Sequence, residues 1–349
     1  MASTGDIGRI EKEIVERISR LAELYAGEIR AGSGADVIAS GEMARIEGLV
    51  RGNNPGPLTD VTVKRVFREI IAGAHAAAAP ITVAFLGPEG TLSNVAVKEL
   101  FGESIVSHPQ RTIQDVFRQV EKGSARYGVV PVENSTEGSV TYTLDELMET
   151  SLGIMAEQYV RITYSLLSRE RDMGSIRKLY SHPQPLGQCK GWIRSNLPNA
   201  DMISVDSTAR AAEIAAGEQG AAAIASVLAA DLYGLNTLAT MIEDSRQNFT
   251  RFFVVGDTAG KATGNDKTSI VCAVKDRPGA LLTMLKPFSD AGINMTKIES
   301  RPDKKKMWAY NFFIDFLGHR DDEIVRTTLA AIKNETIFLK ILGSYPAGS

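Results

Sequence analysis

Cysteine and histidine are scarce, with 2 Cys and 4 His in 349 residues. Two thiols, Cys189 and Cys272, cannot build a disulfide framework, and so few histidines leave little for a structural zinc site. No window approaches the ~18 uninterrupted apolar residues that a membrane-spanning helix needs. The opening segment MASTGDIGRIEKEIVERISR is charged and lacks the apolar core of a secretory signal. Charge of one sign is lacking too. The 39 basic and 42 acidic side chains leave a net −3, so no global field favours nucleic acid or an acidic membrane surface. These absences predict a soluble, cytoplasmic protein that keeps its thiols reduced and binds neither nucleic acid nor membrane. What is present is an ordinary globular balance, 44% hydrophobic and 23% charged. At about 150 residues per domain, the length implies two or three domains.

Residues 8–79 have helical periodicity throughout. Ile10, Ile14, Ile18 and Leu21 recur at helical spacing, the RGNNPGP stretch (51–57) breaks the pattern, and Val63, Val66, Phe67 and Ile70 mark a last helix before Pro80. From Ile81 the texture changes to short apolar runs, each followed by a polar loop and a helix-like segment: ITVAFL then GPEGTLS, ARYGVVPVENSTEG, KLYSHPQPLGQCKGWI, DMISVDSTARAAEIAA, AAAIASVLAADLYGL, and RFFVVG at the end. This alternation predicts an α/β domain with mostly parallel strands. A polar, Gly-rich linker spans Asp257–Lys267, and beyond it the pattern is βαββαβ, the ferredoxin-like order. Within that tail Trp308, Tyr310, Phe312, Ile314 and Phe316 form a period-two strand, with a solvated turn expected at Lys304–Lys306.

In an α/β sheet the loops that follow the strands collect at one edge, where ligands bind. Here they hold Thr91, Ser93, Asn134, Ser135, Thr136, Ser181, Gln184, Gln188, Ser207, Thr208, Thr250 and Arg251. Neutral donors, one cation and helix N-termini suit carboxylates rather than metals. The plain alternative is that the Ser and Thr residues only cap helices. His182 beside Ser181 does not make a base–nucleophile pair, because neighbours on a strand face opposite ways. GPEGTLS lacks the Lys-Ser/Thr pair of a P-loop. Cys189 reads as a helix-packing residue, and Glu133 reads equally as a general acid or base or as a turn-stabilising carboxylate.

GPEGTLS (87–93), PVENSTEGSV (131–140), SHPQPLGQC (181–189), DSTARAA (206–212) and NFTRFFVV (248–255) occur in order, and together they resemble the signature set of prephenate dehydratases. GALL (279–282) and INMTKIESRP (293–302) resemble the phenylalanine-responsive ACT domain that follows the catalytic domain in that family. The resemblance implies a two-lobed α/β catalytic domain of the periplasmic-binding-protein type at residues 81–258 and an α+β ACT domain at 268–345. It also implies conversion of prephenate to phenylpyruvate with loss of carbon dioxide and water, without metal or organic cofactor. Thr250 would sit by the leaving hydroxyl, Arg251 would clamp or orient a carboxylate, and Phe252 would pack the cleft wall. Thr91, Ser93, Asn134, Ser135, Gln188, Ser207 and Thr208 would bind the carboxylates or shape the pocket. L-phenylalanine would act as effector at Gly279, Ala280, Leu281, Asn294, Glu299, Ser300 and Arg301, between the ACT domains of a homodimer or homotetramer.

NNPGPLTDVTVKRVFREIIAGA (53–74) is similar to the end of the all-helical chorismate mutase domain often fused ahead of prephenate dehydratase, which places such a domain at 1–80. The departures are specific. Glu42 and Arg45 are present, but Ile46 stands where that family has Glu, Ala76–Ala79 replace its last polar group, and Arg17, Arg20 and Arg30 are out of register with its cation pair. The rearrangement of dianionic chorismate is helped by cations over the developing charge. The expectation is therefore a mutase-like fold with slow or no chorismate turnover. Four alternatives stand beside this reading: a bifunctional chorismate mutase/prephenate dehydratase, arogenate as substrate, a two-lobed small-molecule binding protein, and an amino-acid sensor built on a degenerate enzyme.

Overall fold

The computed structural model describes residues 4–31, 42–245, 247–257, 260–275, 277–302 and 310–348. Lys304–Lys306 and Trp308 lie outside the described residues. The chain opens on three helices, α1 (Thr4–Arg30), α2 (Glu42–Asn53) and α3 (Asp60–Ala78). Helix α2 continues to Asn53, into the stretch where a loop was expected, and α3 starts where Thr59 accepts a hydrogen bond from the Thr62 amide. Tyr25, Ile46, Ile71 and Ala74 share one core with Val83 and Phe101 of the next domain, so the helices are packed onto it. The first half of α1 is different. Its Ile10 and Ile14 have the expected spacing but are about half exposed, at 50% and 49%, as is Ile7 at 52%.

The first lobe contains β1 (Thr82–Leu86), α4 (Leu92–Phe101), β2 (Val106–Gln110), α5 (Ile113–Glu121), β3 (Tyr127–Asn134), β4 (Gly138–Ser139), α6 (Thr141–Glu149) and β5 (Gly153–Arg161). The chain then crosses to a second lobe of β6 (Ser165–Ser168), β7 (Lys178–Ser181), α7 (Pro183–Gln188), α8 (Lys190–Asn196), β8 (Asp201–Ser204), α9 (Thr208–Gly217), β9 (Ala221–Ala225), α10 (Val227–Tyr233) and β10 (Asn236–Thr240). It returns as β11 (Phe249–Gly256), which inserts between β3 and β5 of the first lobe, so that sheet has the order β2-β1-β3-β11-β5. The second sheet runs β10-β6-β9-β7-β8.

Both sheets are mixed rather than mostly parallel. The β2-β1-β3 and β9-β7-β8 sets are parallel as the alternation suggests, but β11 runs antiparallel to β3 and β5, and β6 antiparallel to β9 and β10. Connectivity is the reason, since a strand that follows an inter-lobe crossing runs back from the hinge. The two crossings bond each other there: the Ile162 amide donates to Asn248 O at 2.8 Å and the Ile242 amide to Tyr164 O at 3.1 Å.

The tail folds as β12 (Asp266–Val274), α11 (Ala280–Asp290), β13 (Met295–Pro302), β14 (Tyr310–Leu317), α12 (Glu323–Glu335) and β15 (Thr336–Pro346), in an antiparallel sheet of order β13-β14-β12-β15. Ile270, Cys272, Ile314 and Phe316 face the two helices. The opposite face is not solvated. Val271, Phe313, Leu342 and Tyr345 merge with Ile154, Phe253 and Val255 of the first lobe. Lys340 Nζ donates to the carbonyls of Leu147, Met148 and Thr150 at 2.8, 3.0 and 2.5 Å, closing the C-terminal end of α6. Cys189 and Cys272 are buried packing residues whose thiols burial pushes up to about 12.

The tail sheet crosses β5 at Gly343, where a Cβ would stand 2.8 Å from the Ile154 amide nitrogen and closer still to its carbonyl oxygen. Backbone cannot yield as a side chain can. Gly343→Ala is therefore expected to lower the unfolding free energy by about 1–3 kcal/mol, the usual overpacking range, measured by urea denaturation.

Candidate active site

A cavity of about 340 Å³ opens between the lobes. The first lobe contributes Thr91 and Ser93 at the start of α4, Asn134 at the end of β3, Glu137, and Thr250 and Phe252 on β11; the second contributes His182, Gln184, Asp206, Ser207 and Thr208. Leu86, Pro131, Val140, Ile162 and Pro185 supply apolar wall. Helices α4 and α9 both begin at this cavity, with Thr91 and Ser207 in the N-cap positions. The first backbone-bonded amides are Val95 on Thr91 O and Ala211 on Ser207 O. Thr91 makes no side-chain cap, so the earlier α4 amides have no acceptor within their helix, whereas in α9 the Arg210 amide donates to the Ser207 hydroxyl at 3.0 Å and only the amides before it are open. Across the lobes, the Ser226 hydroxyl donates to Gly90 O at 2.9 Å, fixing the loop ahead of α4.

Asn134 has a fixed orientation. Its Oδ1 accepts from the Thr136 and Glu137 amides at 2.9 and 3.0 Å, which settles which end of the amide is which. Its Nδ2 then donates to Asn248 Oδ1 at 3.0 Å and to Thr250 Oγ1 at 3.1 Å. Because the Thr250 oxygen accepts that bond, its own O–H is left to donate elsewhere, and Thr250 lines the cavity. Thr250 and Asn134 are cross-strand partners in the β11–β3 ladder.

Of the residues expected at the site, the structure brings together Thr91, Ser93, Asn134, Ser207, Thr208, Thr250 and Phe252. Arg251 is a correction. It is the odd neighbour on β11 and points away from the cavity, into the junction with the tail domain, where Glu157 and Asp315 pair with it at 2.6 and 2.5 Å. Burial opposes its charge, but the field of Asp315, Tyr345 and Glu157 outweighs that and raises its pKa. Ser135 and Gln188 also lie outside the lining. The Ser135 hydroxyl accepts from the Phe249 amide at 3.0 Å, and the Gln188 carbonyl accepts from the Asp244 amide at 2.8 Å. No Lys or Arg is among the described lining residues, so the donors of the lining are hydroxyls, amides, helix ends and the His182 ring.

His182 is a lining residue that sequence reasoning set aside. Its Nδ1 accepts from the Gln184 amide at 3.3 Å and caps α7, which leaves Nε2 as the protonated nitrogen of the neutral ring. The signal was the His-Pro pair itself, an N-cap followed by proline in the first turn. Ser181 beside it is wholly buried and donates to Ile224 O at 2.7 Å.

The prephenate dehydratase family model matches residues 83–259 and the ACT domain model residues 268–334. The chain belongs to the prephenate dehydratase family. It is 44% identical to a bifunctional chorismate mutase/prephenate dehydratase of Aquifex aeolicus over 98% of this chain and 96% of that one. It is 34% identical to a prephenate dehydratase of Mycolicibacterium gilvum over 76% of this chain and 91% of that one. Among solved structures, the prephenate dehydratase of Arthrobacter aurescens in complex with L-Phe superposes with a TM-score of 0.70 at 36% identity, covering 76% of this chain and 90% of that one.

In the ACT domain, Gly279 has φ +76° and opens α11, where a left-handed backbone favours glycine. Ala280 is buried, whereas Leu281, Asn294 and Ser300 are exposed. The other two residues of the expected effector set face the dehydratase domain. Glu299 bonds the Ser139 hydroxyl, and Arg301 donates to Thr141 O at 2.8 Å and pairs with Asp145 at 3.2 Å.

Replacing Asn134 by Asp keeps its shape but turns a donor toward Thr250 into an acceptor. The Thr250 proton is then drawn to the new carboxylate, and Asn134→Asp should lower kcat for prephenate by roughly 10²-fold with little change in KM, read by phenylpyruvate formation.

Proposed function

We propose that the inter-lobe cavity carries out the decarboxylating dehydration of prephenate to phenylpyruvate, the dehydratase step of L-phenylalanine biosynthesis, with Thr250 at the leaving hydroxyl. The observation that carries this is the Asn134–Thr250 bond, which commits the threonine oxygen as acceptor and leaves its proton for the substrate. As the ring carboxylate departs as carbon dioxide, its bonding electrons enter the ring and expel the hydroxyl at the opposite carbon. Aromaticity drives the step. The Thr250 O–H donates to that oxygen as it gains charge, and general-acid assistance of this kind contributes roughly 10²–10⁴-fold. Ser93, Ser207 and Thr208, with the open amides of α4 and α9, hold the carboxylates, since a helix N-terminus is an anion site. Phe252, Ile162 and Pro131 pack the ring.

Arogenate is the second reading, favoured by one observation. Glu137 and Asp206 border a cavity with no cation among its described lining residues, and an ammonium in place of the side-chain keto group would meet them. For the N-terminal helices we propose an architectural role. Arg45 is held by Glu42 at 2.5 Å and by the Tyr25 hydroxyl at 3.0 Å, which occupies the cation nearest the mutase pattern. The domain limits we assign are 1–80, 81–258 and 268–345, with an all-helical first domain, a periplasmic-binding-protein-like second and a ferredoxin-like third. Two buried free thiols fit a cytoplasmic enzyme.

Self-association is supported by α1. An antiparallel copy centred on Ile14 would set Ile10 against Ile18, Ile7 against Leu21, and Glu11 against Arg17. The exposed Leu282 and Ile298 of the ACT domain fit a second contact of the same kind, and L-phenylalanine bound there would regulate the dehydratase. Sedimentation velocity should show at least a dimer, weakened by Ile14→Arg; a monomeric wild type would overturn this.

One assay tests the function. The purified chain is incubated separately with prephenate, arogenate and chorismate, with and without phenylalanine. The expected result is phenylpyruvate from prephenate, slowed by phenylalanine, and little or no turnover of chorismate. Thr250→Ala should cost one to several orders of magnitude in kcat, and near-normal turnover by that variant would remove Thr250 from the mechanism.

A further inference from the structure

The rung of the β3–β11 ladder next to the catalytic pair is held by the ACT domain. Thr250 stands opposite Asn134, and the adjoining rung sets Arg251 opposite Glu133. Strand alternation sends the first pair toward the cleft and the second toward the ACT domain. There Arg251 Nη1 meets Asp315 of β14 at 2.5 Å, and its Nη2 donates to the Tyr345 hydroxyl of β15 at 3.1 Å. Glu133 takes Lys297 of β13 at 2.9 Å, and Arg251 and Glu133 are themselves 3.9 Å apart. Each rung residue thus has an ACT partner of opposite charge.

The pairing is crossed in a second way. Glu157 of the dehydratase domain accepts from Arg251 and also from Lys267 at the start of β12, at 2.6 Å each. Of the buried group Arg251, Glu157, Asp315 and Lys267, the first two come from the dehydratase domain and the other two from β14 and β12, so each side supplies one acid and one base. Immediately past Arg251 the β3 register slips at a bulge before Phe252. Bulges of this sort re-aim side chains beside active sites, and here the β3 side of the ladder changes register beside the residue that takes the ACT contacts, while the β5 side stays regular there.

We propose that Asp315 and Lys297 are positioning residues for catalysis: from the ACT domain they fix the Arg251–Glu133 rung and thereby the placement of the Thr250 hydroxyl against Asn134. This rests on the reading that Thr250 and Asn134 serve the dehydratase reaction, and it names the route by which that site is regulated. Lys297 lies on β13, the strand that also carries Glu299, Ser300 and Arg301. A shift of β13 moves Lys297, and Glu133 is joined directly to Asn134.

The test measures kcat and KM for prephenate in the full chain for Lys297→Gln, Lys297→Arg and Asp315→Asn, each also combined with Thr250→Ala. Misplacing a reacting group by about 1 Å can cost up to roughly 10²-fold, so Lys297→Gln is expected to lose about tenfold or more in kcat with KM within about twofold. Lys297→Arg should restore most of it. On the Thr250→Ala background neither Lys297→Gln nor Asp315→Asn should lower kcat further, because the hydroxyl they position is gone. Asp315 is buried and its variant can fail to fold; the Lys297 side chain is 12% exposed and its partner Glu133 37%, which keeps the lysine variant decisive. Wild-type kcat in folded Lys297→Gln overturns the proposal, and so does an equal loss with and without Thr250. Normal turnover by Thr250→Ala would instead defeat the catalytic reading beneath it.

Discussion

Side chains on a β-strand alternate between two faces, and the molecule is organised around what that alternation does at Thr250, Arg251 and Phe252. Strand β11 is central in its sheet, with β3 on one side and β5 on the other, and from Thr250 to Gly256 it is buried on both faces. One face feeds the inter-lobe cavity through Thr250 and Phe252. The other receives the ACT domain through Arg251 and Phe253, whose ring is packed edge-on against Tyr345. A three-residue motif therefore belongs to two sites, back to back. The sheet between them is one backbone thick, which is why lining the cavity and docking the ACT domain cannot be assigned to separate parts of the chain.

The charges follow the same division. The cations that a dianionic substrate would draw are used at the domain junction: Arg251 and Lys267 on Glu157, Lys297 on Glu133, Arg301 on Asp145, and Lys340 on the carbonyls that end α6. Burial holds the Lys340 ammonium below its ordinary pKa. The cavity is left with oriented dipoles, which stabilise an anion modestly, up to about 2 kcal/mol each in partly buried geometry. A junction built on paired charges costs desolvation and contributes geometric definition, since each partner must be met at a set distance and angle.

Much of this was legible in the sequence, and the failures have physical causes. Periodicity located the helices and strands because burial on one face imposes it. The ordered motifs identified the family, and seven of the residues expected at the catalytic site do line the cavity. Arg251 was misplaced through its adjacency to Thr250, although the alternation rule applied to Ser181 and His182 would have separated them. Asp315 was the missed signal at the junction. A carboxylate inside the apolar run from Tyr310 to Leu317 marks a strand buried on both faces with a buried basic partner. The direction of β6 and β11 was not legible at all, because each pairs with strands far away in the chain, β6 with residues such as Ala225 and Asn236 and β11 with residues such as Asn134 and Arg161, and such pairing leaves no local pattern.

The late return of β11 has a consequence for how the polypeptide is made. Until residues near 250 leave the ribosome, β3 and β5 have no neighbour on their facing edges, and the first lobe waits as an open, unzipped sheet. Non-local pairing of this kind is slow and exposes strand edges in the meantime. The second lobe has no such debt, since all five of its strands are contiguous in the chain. The nascent protein should thus mature from the middle outward, with the older half completed by the younger.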